Sequence, residues 1–352
     1  MNIHLCDPAF ESSLLEELGA GARRVSAGVV MSKDAPAAES DFIFSRHVLL
    51  GARWVQASSV RALAKAVIDG LWPALKAQMA FRLDVFTSDA PESSGDGPLE
   101  TRAALLREVL TDEIRTRRRA LFRAMTEDPT TPRLQVLLVE RDRALVSFAS
   151  AGTLPSGDRV PSDFVAGRVV LPAEPDAPSR AYLKLREALC WLGVGPSAGD
   201  RVVDLGASPG GWSWVALESG ATVIGVDKGD MHERVLSHPG FTHARTDGFK
   251  WAPEAGTIPV DWLLCDIIAE PDRSLALLQR WADARWFRNA VFHLKLRSDS
   301  PLSLARTALA SVRAAGYADV RVKHLLYDKS EVTVLVRGGA SPAEGAIVAV
   351  SA

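Results

Sequence analysis

The C-terminal half of the chain alternates short apolar runs with stretches of helical periodicity, and this alternation constrains the fold most strongly. Alternation at this spacing predicts a parallel, doubly wound α/β sheet. Only a short turn around residues 327–329 joins the last two runs, and a parallel crossover needs a longer connection, so they are expected to form an antiparallel hairpin. The predicted strands are Arg201–Leu205, Thr222–Val226, Phe241–Arg245, Trp262–Cys265, Ala290–Leu294, Asp319–Leu325 and Glu331–Val336, and the predicted helices are Arg180–Leu192, Gly210–Ser219, Asp272–Trp286 and Ser303–Ala315.

The N-terminal half has a less regular pattern. Two apolar runs, Leu134–Val139 and Leu145–Phe148, predict paired strands, and Leu99–Met125 predicts a helix, which together suggest a small α+β module. Breaks rich in Gly, Pro and Ser mark candidate boundaries. They are Ser88–Pro98 within this half, and Ala151–Pro161 and Leu171–Pro178 between the two halves.

Composition limits the class of protein. The chain has 352 residues, of which 47% are hydrophobic, and a net charge of −2, so any RNA binding must come from local basic patches. Cys6, Cys190 and Cys265 are far apart and lack metal-ligand spacing, which indicates free thiols in a reducing cytoplasm and no metal site. The N-terminus has acidic residues where a signal peptide would be apolar, and no run predicts a membrane span.

A glycine-rich turn follows the first predicted strand of the C-terminal half. In Asp204–Trp212 (DLGASPGGW), glycines let the backbone approach a ligand, and the following helix offers its N-terminal N–H groups to an anion. The spacing differs from the G-x-G-x-x-G of dinucleotide-binding folds, and the proline removes a donor that a pyrophosphate would use. The turn therefore favours S-adenosyl-L-methionine, whose carboxylate would be the anion. The predicted cofactor-binding residues are Gly206, Ser208, Pro209, Gly210, Gly211 and Trp212.

Aspartates end three later strands. Asp227 ends the second strand, where a carboxylate can bind both ribose hydroxyls of a nucleoside cofactor. Asp247 follows the third strand and is placed to bind the adenine amino group, and Asp266 ends the fourth. Because parallel strands end at one edge of a sheet, we expect these carboxylates to join the same cofactor site. The alternative for each aspartate alone is a helix or turn cap.

Lys295 closes the fifth predicted strand, after the apolar run Ala290–Leu294. A ribose hydroxyl becomes a good nucleophile only when its proton is removed, and a lysine near another cation can act as the base. The cofactor's sulfonium is one such cation, and a second lysine would be another. The alternative is a surface lysine at a strand end. The turn and the lysine together predict methyl transfer to a hydroxyl.

Five segments together resemble the FtsJ/RrmJ-type ribose 2′-O-methyltransferases. They are Arg180–Leu185 (RAYLKL), Asp204–Trp212, Cys265-Asp266, Leu294–Leu296 (LKL) and Glu331–Val334 (EVTV). In that family a Lys-Asp-Lys-Glu set surrounds the target hydroxyl, and the match places it on Lys184, Asp266, Lys295 and Glu331. The resemblance implies that Lys295 is the base, that Lys184 and Asp266 tune and orient it, and that Glu331 holds the lysines or the ribose.

Further segments resemble the RlmM-type methyltransferases, which modify a cytidine ribose of bacterial 23S rRNA. They are Asp176–Ala188, Asp247–Lys250 (DGFK) and Asp328–Val334 (DKSEVTV), while Ser208 stands where the family turn has cysteine. The resemblance implies a Rossmann-like class I methyltransferase domain preceded by a ferredoxin-like segment and a THUMP module. The expected divisions are 1–85 (ferredoxin-like), 86–172 (THUMP-like), 173–340 (methyltransferase) and 341–352 (tail).

The RNA partner is expected to be 23S rRNA or a large-subunit assembly intermediate, with the N-terminal half as anchor and no membrane partner. A basic group on the predicted helix would track phosphates, unless it is a solvated helix face offset by nearby acids. Its members are Arg115, Arg117, Arg118, Arg119 and Arg123, and Arg321, Lys323 and Lys329 would add charge near the hairpin. Two alternatives remain: a non-catalytic RNA-binding protein that retains cofactor affinity, and an NAD-dependent oxidoreductase, which the glycine spacing disfavours.

Overall fold

The chain forms two compact units, Met1–Arg168 and Val169–Ala352. The structure is a computed structural model, and it describes residues 1–33, 42–71, 80–89, 98–150, 152–153, 159–160, 162–297 and 300–338. The expected tail 341–352 and most of the predicted breaks at 88–98 and 151–161 lie outside the described residues. Within those ranges, no helix is both long and apolar enough to cross a membrane.

The N-terminal unit contains two four-stranded sheets, of order β2-β3-β1-β4 and β5-β8-β7-β6, and a short β9-β10 pair. Its strands are β1 (Asn2–Leu5), β2 (Arg23–Ser26), β3 (Val29–Ser32), β4 (His47–Leu49), β5 (Arg53–Gln56), β6 (Arg82–Phe86), β7 (Arg133–Glu140), β8 (Arg143–Ala149), β9 (Gly152–Thr153) and β10 (Arg159–Val160). Its helices are α1 (Glu11–Leu18), α2 (Val60–Leu71), α3 (Leu99–Arg117) and α4 (Arg119–Ala124).

The second of these sheets is covered by α2 and α3. Apolar residues at helical spacing on α3, including Leu106 and Leu110, pack with Leu134 and Val136 of β7 in one buried cluster. The predicted strand pair is confirmed as β7 and β8, which are antiparallel. The sheet also takes β5 and β6, so it draws strands from the sequence before the expected 85/86 division. That division stays a prediction.

The predicted single helix over Leu99–Met125 is wrong at one residue. Arg118 leaves the helical conformation (φ −139°, ψ 57°), so α3 ends at Arg117 and α4 begins at Arg119. Arg115 and Arg119 therefore lie on different helices and do not share one helix face. Arg115 forms an ion pair with Asp112 at 2.5 Å, so a neighbouring carboxylate already offsets part of the positive charge of Arg115.

The C-terminal unit is a seven-stranded sheet with helices between its strands. Its strands are β11 (Arg201–Leu205), β12 (Thr222–Val226), β13 (Phe241–Ala244), β14 (Val260–Cys265), β15 (Phe287–Lys295), β16 (Asp319–Lys323) and β17 (Glu331–Arg337). Its helices are α5 (Tyr182–Leu192), α6 (Gly211–Glu218), α7 (Glu233–Leu236), α8 (Pro271–Asp283) and α9 (Pro301–Ala314). Every strand and helix predicted for this half is present, with ends shifted by a few residues.

The strand order is β13-β12-β11-β14-β15-β17-β16. The first five of these strands are mutually parallel, and β17 is antiparallel to both β15 and β16. The predicted parallel sheet with a closing antiparallel hairpin is therefore confirmed. The chain crosses from one side of β11 to the other after β13, and such a switch point opens a crevice at the carboxyl ends of the strands.

Candidate active site

A pocket opens at the carboxyl ends of β11 and β14, beside the glycine-rich turn. Its lining residues are Ser179, Ala181, Lys184, Gly206, Ala207, Ser208, Pro209, Gly211, Trp212, Asp266, Ile268 and Lys295. Most of the predicted turn residues thus lie together with three of the four residues predicted for chemistry. Gly210, Asp227, Asp247 and Glu331 lie outside this lining.

The turn requires glycine at two positions. Gly206 has a φ of +80°, and a Cβ there would lie 2.7 Å from Ile267 Cγ1. Gly210, at φ +116°, precedes the first turn of α6, and a Cβ there would lie 2.7 Å from Val235 Cγ2. Both positions favour glycine because other residues rarely adopt such φ values. These φ values and close contacts give the turn a backbone path that glycine follows without strain.

Trp212 forms one wall of the pocket and is itself buried. Its indole Nε1 donates to the carbonyl oxygen of Ala181 at 2.9 Å, which fixes the ring. Ser179 lines the pocket nearby, and its buried Oγ has no hydrogen-bond partner among the described residues. A buried hydroxyl without a partner is costly, so this atom fits a site where a bound molecule supplies the partner.

Asp227 and Asp247 bind backbone groups at the ends of their strands. Asp227 accepts from the backbone N–H of Ser208 at 3.2 Å and of Gly229 at 2.6 Å, which ties β12 to the turn. Asp247 accepts from the backbone N–H of Phe249 at 3.0 Å, and this bond, together with Lys228, lowers its pKa. Both carboxylates stand beyond the strand ends, as expected, but each also acts as a turn cap.

The four residues predicted for chemistry form one ion-pair cluster. Lys184 Nζ lies 2.5 Å from Glu331 Oε1 and 3.4 Å from Asp266 Oδ2. Lys295 Nζ lies 3.4 Å from Glu331 Oε2 and 3.5 Å from Asp266 Oδ1. Each carboxylate thus bridges both ammonium groups. Glu331 and Lys295 are also directly paired in the register of β15 and β17.

Charge within the cluster fixes most of its protonation states. Burial alone would raise the pKa of Asp266, but His293 and the two lysines outweigh burial and lower it. The pKa of Glu331 is lowered in the same way, chiefly by Lys184. Burial opposes the charge of Lys184, yet the carboxylates of Asp266 and Glu331 raise its pKa. Both acids are therefore ionised at neutral pH, and Lys184 is an ammonium.

The sequence interpretation missed two members of the cluster, His293 and Asp328. His293 Nδ1 lies 3.1 Å from Asp266 Oδ1, and its Nε2 lies 3.5 Å from Asp328 Oδ1. A signal was present, because His293 precedes Lys295 by two residues on one strand and must share its side of the sheet. Asp328 lies in the hairpin connection, where it resembled an ordinary turn residue.

Two of the basic residues predicted near the hairpin do not face solvent. Arg321 is buried and donates to the carbonyl oxygen of Trp191 at 2.9 Å. Lys323 is buried with its Nζ 5.0 Å from the centre of the Trp191 ring. The prediction that they add positive charge for RNA is wrong, because both side chains are buried against Trp191 inside the unit. Lys329 is exposed.

Residues 177–294 match the model of the FtsJ-like methyltransferase family. The ribosomal RNA large subunit methyltransferase M of Halorhodospira halophila is 41% identical over 47% of this chain and 49% of its own length. That of Xanthomonas axonopodis pv. citri is 35% identical over 70% of this chain and 69% of its own length. Among solved structures, a putative hemolysin from Streptococcus thermophilus has a TM-score of 0.38 at 20% identity, covering 55% of this chain and 80% of that one.

The family match begins just before α5 and ends within β15, so it contains the turn, the pocket wall and Asp266. The longer matches extend this similarity over more than two thirds of the chain. The turn geometry, the sheet order and these matches therefore agree on a class I Rossmann-like fold that takes S-adenosyl-L-methionine, and the chain belongs to the ribosomal RNA large subunit methyltransferase M family.

Proposed function

We propose that this chain methylates a ribose 2′-hydroxyl of large-subunit ribosomal RNA, most specifically a cytidine of 23S rRNA, with Lys295 as the general base. The observation that supports the chemistry best is the cluster of two lysines and two carboxylates at the pocket, all joined at 2.5–3.5 Å. The names of the relatives support the RNA as substrate.

Lys295 is the best candidate base because the other three residues are held in unsuitable states. The lowered pKa values of Asp266 and Glu331 make them weak bases, and the raised pKa of Lys184 keeps that amine protonated. Lys295 Nζ reaches both carboxylates from the end of β15 and lines the pocket. In its neutral form this amine takes the hydroxyl proton as the ribose oxygen becomes the nucleophile.

The pocket residues fit the cofactor. The N-terminus of α6 is suited to a carboxylate, and Ser179 Oγ, which lines the pocket, has no hydrogen-bond partner among the described residues. When bound, S-adenosyl-L-methionine supplies a methyl group whose bond to sulfur breaks as the new O–C bond forms, leaving S-adenosylhomocysteine. Asp227 would bind the ribose hydroxyls and Asp247 the adenine amino group.

The N-terminal unit is proposed as the RNA anchor, with a ferredoxin-like part and a THUMP-like part. Its support is the exposed basic surface on α4, where Arg119 and Arg123 flank Phe122, which is 38% exposed. Arginines bind phosphates and an aromatic ring can stack on an unpaired base. We place the protein in the cytoplasm, where ribosomal RNA is modified, and its three cysteines are free.

The test is transfer of label from radioactive S-adenosyl-L-methionine to unmodified 23S rRNA, mapped by resistance of the labelled position to alkaline cleavage. The wild type should label one alkali-resistant position. Lys295→Ala should lose about 100-fold or more in turnover, as expected for removal of a general base. It should still bind S-adenosylhomocysteine, because the turn is untouched.

The matched control is Arg306→Ala, which removes an exposed cation of the same unit on α9. Its turnover should equal that of the wild type. Full activity in Lys295→Ala would show that another group takes the proton. Cofactor binding without label in the wild type would favour a different RNA or the non-catalytic RNA-binding alternative.

A further inference from the structure

The strongest unassigned feature is a buried row of polar groups behind the catalytic cluster. It runs from Asp328 through His293 to Asp266 and Lys295, with separations of 3.5, 3.1 and 3.5 Å. The side chains of His293 and Asp328 are fully buried. Neither lines the pocket, so neither touches the substrate. A buried polar row at this position needs a reason, because an unsatisfied member would cost stability.

Asp328 is held by hydrogen bonds from Leu325 and Thr333. The backbone N–H of Leu325 donates to its Oδ2 at 3.0 Å, and the hydroxyl of Thr333 donates to the same carboxylate at 2.9 Å. His293 Nε2 lies on the remaining side. Thr333 is the residue of β17 that pairs with His293 in register. The hairpin therefore fixes Asp328 directly behind the imidazole.

The imidazole of His293 has little freedom to turn. The edge of Trp212 packs against it, with ring centroids 4.8 Å apart and an interplanar angle of 86°. Its Nδ1 faces an ionised carboxylate, which accepts but does not donate, so Nδ1 must carry a hydrogen. This bond reaches Asp266 Oδ1, the same oxygen that contacts Lys295. Asp266 Oδ2 contacts Lys184.

Rotation of the Asp266 carboxylate would break its contacts with both lysines at once. We propose that His293 is a positioning residue for methyl transfer, whose Nδ1–H holds Asp266 in the orientation that aligns Lys295 with the target hydroxyl. Asp328 lies behind the ring, with its Oδ1 3.5 Å from Nε2. The inference rests on the proposed function, because it assigns His293 a role in that reaction.

His293, Asp328 and Glu331 place three possible ligand atoms within 4.8 Å of one another, a spacing that also suits a metal ion. The lysines argue against that use. Glu331 is already bound to Lys184 and Lys295, and the ammonium of Lys184 repels a cation. A positioning role accounts for the contacts of His293 with Asp266 and Trp212, while its Nε2, 3.5 Å from Asp328 Oδ1, has no hydrogen-bond partner among the described residues.

The test compares His293→Leu with His293→Asn. Leucine fills the space without a donor, whereas the asparagine amide places an N–H near the position of Nδ1. We expect kcat to fall about 100-fold in His293→Leu, the cost typical of a small misplacement, and to recover largely in His293→Asn. Affinity for S-adenosylhomocysteine and KM for RNA should stay near the wild-type values in both. A purely structural role would not give rescue of kcat alone.

The matched control is His238→Leu, which removes another histidine of the same unit, whose ring Nδ1 accepts from the backbone N–H of Gly240. Its kcat should be unchanged. If His293→Leu does not fold, His293→Gln replaces it, because its amide lies nearer the Nε2 position. Equal kcat in wild type and His293→Leu, or no advantage of Asn over Leu or Gln, would overturn the proposal.

A second measurement needs no RNA and separates this inference from the proposed function. NMR of protein labelled with ¹⁵N-histidine should show a hydrogen on His293 Nδ1. The signal is assigned by its absence in His293→Asn. The same signal should shift in Asp266→Asn, because that variant changes the acceptor. A bare Nδ1 would refute the hydrogen bond even if the enzyme is active. An inactive wild type with the Nδ1–H in place would refute the proposed reaction and with it the role of His293, while leaving the bond itself established.

Discussion

The buried carboxyl of Asp204 should make the stability of the C-terminal unit fall as pH rises. Asp204 is 1% exposed; the hydroxyl of Ser213 donates to its Oδ2 at 2.6 Å, and the backbone N–H of Ser213 also donates to this carboxyl. Burial raises its pKa from 3.8 to about 7, and the bond from Ser213 offsets only part of this. The unfolded chain therefore releases this proton at lower pH than the folded one, which weakens folding between these two values.

The magnitude follows from the difference in pKa. A rise from 3.8 to about 7 corresponds to a loss of about 4 kcal/mol at high pH, since one unit equals about 1.4 kcal/mol. About 3 kcal/mol of this falls between pH 5 and pH 8. The lowered pKa values of Asp266 and Glu331 act in the opposite direction, but their stabilisation is nearly complete above pH 5. Among these three carboxyl groups, Asp204 should thus dominate the change in stability in this window.

The assay is urea unfolding of wild type and Asp204→Asn from pH 5 to pH 8, followed by tryptophan fluorescence. Seven of the nine tryptophans lie in the C-terminal unit, so the signal reports chiefly on it. The difference between the two proteins cancels the titrating groups that do not interact with Asp204, which excludes Asp266 and Asp227. Asparagine accepts the Ser213 bond but cannot ionise, so its relative stability should rise by about 3 kcal/mol across the window. Asp283→Asn removes an exposed carboxylate as the control. A difference that stays constant with pH would refute the reasoning.

Three substitutions test the pocket. Gly206→Ala should weaken S-adenosylhomocysteine binding at least about tenfold in calorimetry, because its φ of +80° and the contact with Ile267 leave no room for Cβ; unchanged affinity would contradict this. Ser179→Ala should weaken the same binding about tenfold without lowering Tm, because the Ser179 hydroxyl has no hydrogen-bond partner among the described residues. A lower Tm with normal affinity would indicate a structural role instead. Ile268 lines the pocket and is 78% exposed, so we expect it to contact the RNA that enters there. Ile268→Asp should therefore raise KM for RNA and spare cofactor affinity, whereas Val194→Asp, at another exposed apolar residue, should change neither. Equal effects of the two substitutions would show that Ile268 does not contact the RNA.

The methyltransferase sheet was predictable because its signals are local. β11 and β12 have the predicted bounds Arg201–Leu205 and Thr222–Val226, since each is a short apolar run closed by the residues of a turn. The N-terminal unit was not predictable in the same way. Its β5 pairs with β8, and Arg53 lies opposite Val146, so the sheet depends on contacts between distant segments. Periodicity within a window carries no information on such pairing.

The site residues also divide into those that the sequence predicted and those that only the structure revealed. Lys184, Asp266, Lys295 and Glu331 were found by their order along the chain and their resemblance to a family, and the structure places them within contact of one another. His293 was missed because a histidine in an apolar strand commonly belongs to the core. Its role appears only when the partners are seen, and these come from β14 and from the hairpin.

The antiparallel hairpin is part of the active site and not only a mark of the fold class. In a parallel sheet the first residue of a strand lies at the edge opposite to the ligand crevice. Because β17 runs against β15, its first residue, Glu331, lies beside the last residue of β15, Lys295. Were β17 parallel, Glu331 would lie about 20 Å away, at the far end of a strand of this length. The reversal of one strand therefore supplies the carboxylate that bridges both lysines, and it places Thr333 and Asp328 behind His293.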